Sequence, residues 1–239
     1  AMRENLNKVP VRGVVVNGEA YCAEGAKLCI GETVGSGGAD IPEVDIAVDP
    51  VDGTTLVSRG LPGAISVVAL SAKGTMHWPS QFFYMNKIAV GPDAAGVIDL
   101  NAPVEVNLRN VARAKRKDIN DLTVIILDRP RHAELIRQVR EAGARIRLIS
   151  DGDIAGALMT TIPETGIDLL MGIGGSPEAV VGACALRCLG GDMQCKRWPR
   201  NDAERAQSEE AGLDLERILT INDLVRSDNV FFAATGVTD

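Results

Sequence analysis

The sequence has few aromatic residues, a deficit of basic residues and no long apolar run. Aromatic residues make up 3% of the 239 residues, and 25 Lys and Arg face 32 Asp and Glu, which gives a net charge of −7. A nucleic-acid surface needs clustered basic residues and rings for stacking, so this composition argues against one. No apolar run approaches the roughly 20 residues that cross a bilayer. We therefore expect neither a nucleic-acid partner nor a membrane.

Cysteine and histidine are sparse as well. The chain has five cysteines, an odd number, without a Cys-x-x-Cys pair, which favours reduced thiols in a cytoplasmic compartment. With only His77 and His132, and no His-Glu-x-x-His pattern, zinc chemistry based on imidazole is not expected. Any metal site must therefore be built from carboxylates.

The apolar pattern changes near residue 100. Before it, apolar runs are short, β-branched and separated by glycine, which predicts strands and loops. After it, strands alternate with helices, and this βαβαβ order predicts parallel strands with crossover helices. We expect an α/β protein in two parts, residues 1–100 with a mixed sheet and residues 101–239 with a mostly parallel sheet. Ligands should bind where the parts meet, at the carboxyl ends of strands.

The string Asp-Pro-Val-Asp-Gly-Thr, which begins at Asp49 and follows an apolar strand, carries the clearest chemical signal. Pro50 should end the strand, and Gly53 permits a tight turn. That turn brings Asp52 toward Asp49, and two close carboxylates repel unless a cation such as Mg²⁺ or Mn²⁺ lies between them. Thr54 adds a hydroxyl, and its amide can face a phosphate oxygen. The alternative is an ordinary turn, since proline and glycine mark turns in many proteins.

This string resembles the signature of the lithium-sensitive, metal-dependent sugar and inositol phosphatase superfamily. The surrounding sequence is similar to its class II fructose-1,6-bisphosphatase branch, and the resemblance covers essentially the whole chain. Further segments match in order: residues 29–32, 129–132, 151–153, 172–178, 191–193 and 226–230. The resemblance implies an α/β fold in two parts with layers α/β/α/β/α.

It also implies a phosphatase dependent on Mn²⁺ or Mg²⁺ that hydrolyses the 1-phosphate of fructose 1,6-bisphosphate, within gluconeogenesis and glycerol metabolism. As partners we expect a small-molecule sugar bisphosphate and further copies of the chain in a homo-oligomer. Two alternatives stay open. The substrate can be another phosphate ester, such as sedoheptulose 1,7-bisphosphate or an inositol phosphate, or the chain can bind a sugar phosphate without catalysis.

The resemblance assigns residues to three roles. The metal ligands are Glu19, Asp49, Asp52 and Glu178. The catalytic residues are Thr54, Asp49 and Asp52. The substrate contacts are Asp52, Gly53, Thr54, Tyr84, Arg129, Pro130, Arg131, Asp151, Gly152, Asp153 and Gly175.

Simpler interpretations exist for several of these residues. Ser176 is placed to cap a helix with Pro177 in its first turn, and Glu178 can then merely complement the helix dipole. Asp153 can cap the helix that follows it, and Tyr84 can belong to the core.

The sequence departs from the family pattern near Glu19, where Tyr21 and Ala23 replace acidic residues. In the family an aspartate ligand lies in a segment that would precede Ala1, and several dozen residues would follow Asp239. We therefore expect the chain to be part of a longer protein.

Overall fold

The computed structural model describes residues 1–18, 28–38, 40–77 and 84–238. In these ranges the strands are β1 (Arg12–Asn17), β2 (Thr33–Val34), β3 (Glu43–Asp52), β4 (Ile65–Ala72), β5 (Tyr84–Val90), β6 (Thr123–Leu127), β7 (Arg145–Ile149), β8 (Leu169–Gly175), β9 (Asp192–Arg197), β10 (Ile218–Thr220) and β11 (Val230–Gly236). The helices are α1 (Met2–Leu6), α2 (Thr54–Ser58), α3 (Val104–Lys115), α4 (Ala133–Glu141), α5 (Asp153–Met159), α6 (Ser176–Leu189), α7 (Asp202–Glu210) and α8 (Ile221–Leu224).

The first sheet has the order β11-β4-β3-β1-β2, with β1 and β3 parallel and the other neighbours antiparallel. The prediction of a mixed sheet in the first part is therefore confirmed. The prediction that Pro50 ends the strand is wrong, because β3 continues to Asp52. Its register against β4 shifts between Asp49 and Asp52, and such a bulge accommodates a proline that cannot donate to the ladder.

The second sheet has the order β10-β9-β5-β8-β6-β7. The predicted parallel arrangement holds for β6 with β7 and β8, whereas β5 runs antiparallel to both β8 and β9 and β9 runs antiparallel to β10. Strand β5 enters this sheet from the first part of the chain and interrupts the parallel arrangement. Strand β11, from the second part, joins the first sheet. Each sheet thus contains one strand from the other part of the chain. The division into residues 1–100 and 101–239 stays a prediction.

The core consists of three apolar clusters that define five layers. Between the sheets, α5 and α6 pack against side chains of both, such as Ala47 of β3 and Ile125 of β6. On the outer face of the first sheet, Leu6 of α1 packs in a cluster with strand residues. On the outer face of the second, α3 and α4 contribute residues such as Leu108 and Val139. The α/β/α/β/α layering that the resemblance implies is thereby confirmed.

Helix α6 is the central element of the middle layer. It is buried almost all round, as expected of a helix that is apolar on every side. Within it Cys184 is fully buried, which fits a packing role, whereas Cys188 is exposed. Among the residues that the structure describes, none of the helices has the length and apolar character required to span a bilayer.

An ion pair holds the start of β8 to the end of α3. Asp168 is 1% exposed, and its Oδ1 lies 2.7 Å from the Nζ atoms of both Lys115 and Lys117. Its other oxygen accepts a hydrogen bond of 2.9 Å from the Thr123 amide. Burial alone raises the pKa of Asp168, but the hydrogen bonds from the two lysines outweigh it and hold the pKa below its ordinary value.

We expect Asp168→Asn to lower the free energy of unfolding by about 2 kcal/mol at pH 7, because it leaves two ammonium groups beside a neutral amide. Since the folded-state pKa is depressed, the carboxylate stabilises the fold above the unfolded value of about 4, and this contribution is lost as the pH falls through the folded-state pKa. The difference between the two proteins in urea titrations should therefore shrink toward pH 3. An equal difference at both pH values contradicts the assignment, and Asp93→Asn at an exposed turn is the matched control.

Candidate active site

Five carboxylates line one cavity of about 370 Å³ between the sheets. They are Asp49, Asp52, Asp151, Asp153 and Glu178, and Gly53 and Thr54 line the same cavity. The cavity lies where the end of β3, the turn between β7 and α5, and the start of α6 meet. This is the expected position, at strand ends where the two parts of the chain come together.

The bulged end of β3 presents the first two carboxylates. Asp49 Oδ1 accepts a hydrogen bond of 3.0 Å from the amide of Val51, which stabilises the irregular turn around Pro50. Gly53 follows with φ of 95°, a left-handed conformation that glycine adopts without strain, and α2 begins at the next residue. Thr54, the first residue of α2, is exposed and lines the cavity. The predicted tight turn at Gly53 is therefore confirmed.

Two hydrogen bonds cross between the parts of the chain in opposite directions. Asp52 Oδ2 accepts from the amide of Ala155 in the first turn of α5, at 3.0 Å. Asp151 Oδ2 accepts from the amide of Thr55 in the first turn of α2, at 2.9 Å. Each carboxylate thus binds an amide that has no acceptor within its own helix. The pair sets the position of the β3 turn relative to the turn before α5.

Asp153 forms a buried ion pair, and the interpretation of Asp153 as a helix cap is wrong. Gly152 occupies the cap position of α5 with φ of 86°, while Asp153 Oδ2 lies 2.6 Å from Nζ of Lys87. Lys87 is only 3% exposed, so the ion pair that it forms with Asp153 is shielded from solvent. Gly174 makes room for this pair, since a Cβ there would lie 1.9 Å from Asp153 Oδ2.

Lys87 was missed in the sequence, although a signal exists. Lys87 lies between Met85 and Ala89 on the face of β5 that packs against the middle layer, and both of these neighbours are fully buried. A lysine at a core-facing position of a strand requires a buried carboxylate partner, because an unpaired buried charge is very costly. The identity of that partner depends on an element 66 residues away in the sequence.

Glu178 folds back over the start of α6. A Cβ on Gly175 would lie 1.8 Å from Glu178 Oε2, so only glycine leaves room for this carboxylate. The prediction that Ser176 caps α6 is wrong, because Gly175 takes the cap position and Ser176 begins the helix. The side-chain amide of Asn17 donates to the carbonyl of Pro177 at 2.7 Å, which ties the end of β1 to this turn.

Three buried oxygen atoms at this turn have no hydrogen-bond partner among the described residues. They are Glu178 Oε2, Ser176 Oγ and Asn17 Oδ1. Buried polar atoms are normally paired, so unpaired acceptors beside a carboxylate cavity indicate that a donor or a cation belongs there.

The pKa values of the cavity carboxyl groups also indicate that a cation belongs there. Burial, followed by repulsion from Asp153, Asp49 and Glu178, raises the pKa of Asp52 to about 8. Burial and repulsion from Asp153 raise the pKa of Glu178 to about 7, partly offset by Lys87. The carboxyl groups therefore resist ionising together even with Lys87 beside them, and a cation in the cavity would relieve the repulsion and favour their charged forms.

The carboxylate set fits a hard divalent cation in its chemistry. Asp49, Asp52 and Glu178, which the family resemblance assigns as ligands, all line the cavity. Within the described residues, however, no three acidic, thiol or imidazole groups are close enough to form a complete ligand set. Glu19, the fourth expected ligand, lies outside the described residues.

Two of the expected substrate-binding residues that do not line the cavity, Arg131 and Tyr84, lie together. The guanidinium of Arg131 lies 5.0 Å from the centre of the Tyr84 ring, and its Nη2 donates to the carbonyl of Ile173 at 2.8 Å. Arg129 precedes a 3₁₀ turn over Pro130–His132, and its Nη1 donates to the carbonyl of Asp128 at 3.0 Å. The structure thus brings Arg131 and Tyr84 together, and Tyr84 is half-buried at the surface of the second sheet.

His132 fixes the backbone around Arg131, a role that sequence reasoning did not find. Its Nδ1 contacts the carbonyl of Leu127 at 2.6 Å, and its Nε2 accepts from the amide of Ile173 at 2.8 Å. Burial, with the nearby arginines, lowers the pKa of His132, so the ring stays neutral and bridges β6 to β8. The carbonyl that receives Arg131 belongs to the same residue, Ile173.

Comparison with known proteins identifies the family of the chain. The family described as bacterial fructose-1,6-bisphosphatase, glpX-encoded, matches residues 1–239. The chain is similar to the fructose-1,6-bisphosphatase class 2 of Haemophilus influenzae, with 42% identity over 252 aligned positions that cover all of this chain and 75% of that protein. It is equally similar to the fructose-1,6-bisphosphatase 1 class 2 of Escherichia coli K12, with 42% identity over all of this chain and 74% of that protein. The chain therefore belongs to the family of bacterial, glpX-encoded fructose-1,6-bisphosphatases.

Proposed function

We propose that the carboxylate cavity is the catalytic centre at which this chain hydrolyses the 1-phosphate of fructose 1,6-bisphosphate, giving fructose 6-phosphate and inorganic phosphate. The observation that carries this proposal is the convergence of five carboxylates on one cavity that Lys87 neutralises only in part. The names of the relatives, which are fructose-1,6-bisphosphatases, support the substrate.

The cation that the cavity fits would be held by Asp49, Asp52 and Glu178, with Glu19 as a further ligand, and Mn²⁺ or Mg²⁺ suits these oxygen donors. When bound, such an ion neutralises charge on the phosphoryl group and lowers the pKa of nearby water. Asp49 and Asp52 are catalytic in this sense, because they hold charge next to the reacting phosphate.

The start of α2 receives the phosphoryl group. The amides of Gly53 and Thr54 stand at a helix start, where acceptors within the helix are lacking, and they face phosphate oxygens. The exposed hydroxyl of Thr54 orients the attacking water in line with the leaving oxygen. Asp151, Gly152, Asp153 and Gly175 bind the sugar hydroxyls, and Arg129, Pro130, Arg131 and Tyr84 bind the remainder of the substrate.

The buried thiols of Cys184 and Cys195 favour direct attack by water over covalent catalysis by cysteine. Burial raises the pKa of Cys184 and of Cys195 to about 12, so neither is a thiolate nucleophile at neutral pH. Neither residue lines the carboxylate cavity.

We further propose that the protein assembles as a homo-oligomer.

We expect Asp49→Asn to lower Mn²⁺-dependent phosphate release from fructose 1,6-bisphosphate by at least about a hundredfold, since one charged donor is lost where the phosphoryl charge develops. The fold should survive, because the asparagine oxygen can still accept from Val51. Phosphate release and a thermal melt measure the two effects.

Asp93→Asn is the matched control, with the same chemical change at an exposed turn far from the cavity lining. Undiminished turnover of Asp49→Asn would remove Asp49 from the catalytic centre. A panel with sedoheptulose 1,7-bisphosphate and inositol phosphates tests the choice of substrate in the same assay.

Gly175→Ala tests the placement of Glu178 without removing its charge. The new methyl group must displace the carboxylate, which a flexible side chain can do while the helix stays intact, so the thermal midpoint should change little. A shift of about 1 Å in a catalytic group costs on the order of a hundredfold in rate, and we expect that loss in phosphate release.

Gly236→Ala on β11 is the control, because a Cβ there meets no atom within 4 Å. Its activity should equal that of the unsubstituted protein. If Gly175→Ala also retains full activity, Glu178 does not need its observed position.

A further inference from the structure

Two guanidinium groups share the ring of Tyr84. Arg131 lies 5.0 Å from the ring centre and Arg200 lies 5.7 Å from it, both within cation–π range. Trp198 packs edge-on against the same ring, with centres 6.3 Å apart and planes at 81°. Arg200 has no role in the site described so far, and it comes from a different element than Arg131.

Arg200 is held in place by the start of α7. Its Nε donates to Glu204 Oε1 at 2.6 Å, and its backbone amide donates to Glu204 Oε2 at 2.8 Å. Glu204 is fixed in turn, since its amide donates to Asn201, which caps α7. The Trp198 amide donates to the carbonyl of Tyr84 at 3.1 Å and so ties the segment before Arg200 to β5.

The Arg200 side chain nevertheless remains 47% exposed. It can therefore meet a ligand from solvent with little rearrangement. A preorganised guanidinium loses less entropy on binding than a mobile one, which favours recognition over mere solubility as its role.

The charges of the two neighbouring groups are opposite. The cavity carries five carboxylates, whereas Arg131 and Arg200 bring two guanidinium groups to the ring of Tyr84. Asp153 links them, because it lines the cavity and attracts Arg131 electrostatically. A bisphosphate places one phosphate at the reacting centre and needs cations for the other, and the planar guanidinium fork matches phosphate oxygens.

We propose that Arg200, together with Arg131 on the Tyr84 ring, binds the phosphate of the sugar bisphosphate that is not hydrolysed, and that Arg200 thereby sets the preference for bisphosphates over monophosphates. The inference rests on the proposed function, because it assumes that the first phosphate reacts in the carboxylate cavity.

The test compares two substrates in Arg200→Gln. Fructose 1,6-bisphosphate carries both phosphates, and fructose 1-phosphate carries only the reacting one. We expect the KM for the bisphosphate to rise about tenfold or more, with kcat changed less than threefold, since one charge-assisted contact is lost. Turnover of fructose 1-phosphate should stay unchanged. An unchanged KM for the bisphosphate, or an equal loss for both substrates, would overturn the proposal.

Arg205→Gln is the matched control, because Arg205 is an exposed arginine in the first turns of α7, the helix that Arg200 precedes. It should behave as the unsubstituted protein with both substrates. If Arg205→Gln raises the KM as much as Arg200→Gln does, the effect is one of general surface charge and the proposal fails.

Calorimetric titration with fructose 6-phosphate supplies a readout without turnover. This compound retains the second phosphate, so its Kd should also rise about tenfold in Arg200→Gln. If the unsubstituted protein releases no phosphate from any substrate, the proposed function fails while this titration still tests Arg200. If turnover is normal and the Kd is unchanged, only the inference about Arg200 fails.

Discussion

Repulsion among five carboxylates in one cavity is the constraint on which the rest of the site depends. Carboxylates placed together and out of water raise one another's pKa, as the values near 8 for Asp52 and near 7 for Glu178 reflect. The fold offsets part of this cost with hydrogen-bond donors and a cation beside individual carboxylates. Amides at two helix starts face Asp52 and Asp151, and a buried ammonium group faces Asp153. Glu178 keeps a buried carboxylate oxygen without a protein partner among the described residues, and a cation there would complete the charge balance.

These compensations also explain how two sheets hold one site. Asp52 belongs to the first sheet yet accepts from α5, and Asp151 follows the second sheet yet accepts from α2. Lys87 belongs to β5, which lies in the second sheet although it comes from the first part of the chain. The carboxylates therefore keep their positions only while the middle layer stays packed between the sheets. The carboxylate cavity therefore depends on contacts between the two sheets and the middle layer, and not on either sheet alone.

Local chemistry determined what could be predicted. The turn at Gly53, the strand before it and the helix after Gly175 depend on neighbouring residues, so a sequence pattern was enough to find them. Long-range contacts were out of reach. The ion pair of Lys87 needs β5 to enter the other sheet, and the bulge that lets β3 pass Pro50 depends on the register of β4. The cap of α6 was misplaced by one residue, because the helix already begins at Ser176 and Gly175 takes the cap position.

The two ends of the site impose different conditions on a bisphosphate. At the guanidinium end, Arg131 and Arg200 both stack on the Tyr84 ring, and their positive charges would attract a phosphate directly. At the carboxylate end, the protein's own charge repels a phosphate until a cation reverses the field. The net charge of −7 conceals this division, because it is a sum over the whole chain, whereas five of the acidic residues are concentrated in the cavity. Under the proposed function, a substrate with two phosphates would be held at one end by guanidinium groups of the protein and at the other through a cation, so that different residues would serve binding and catalysis.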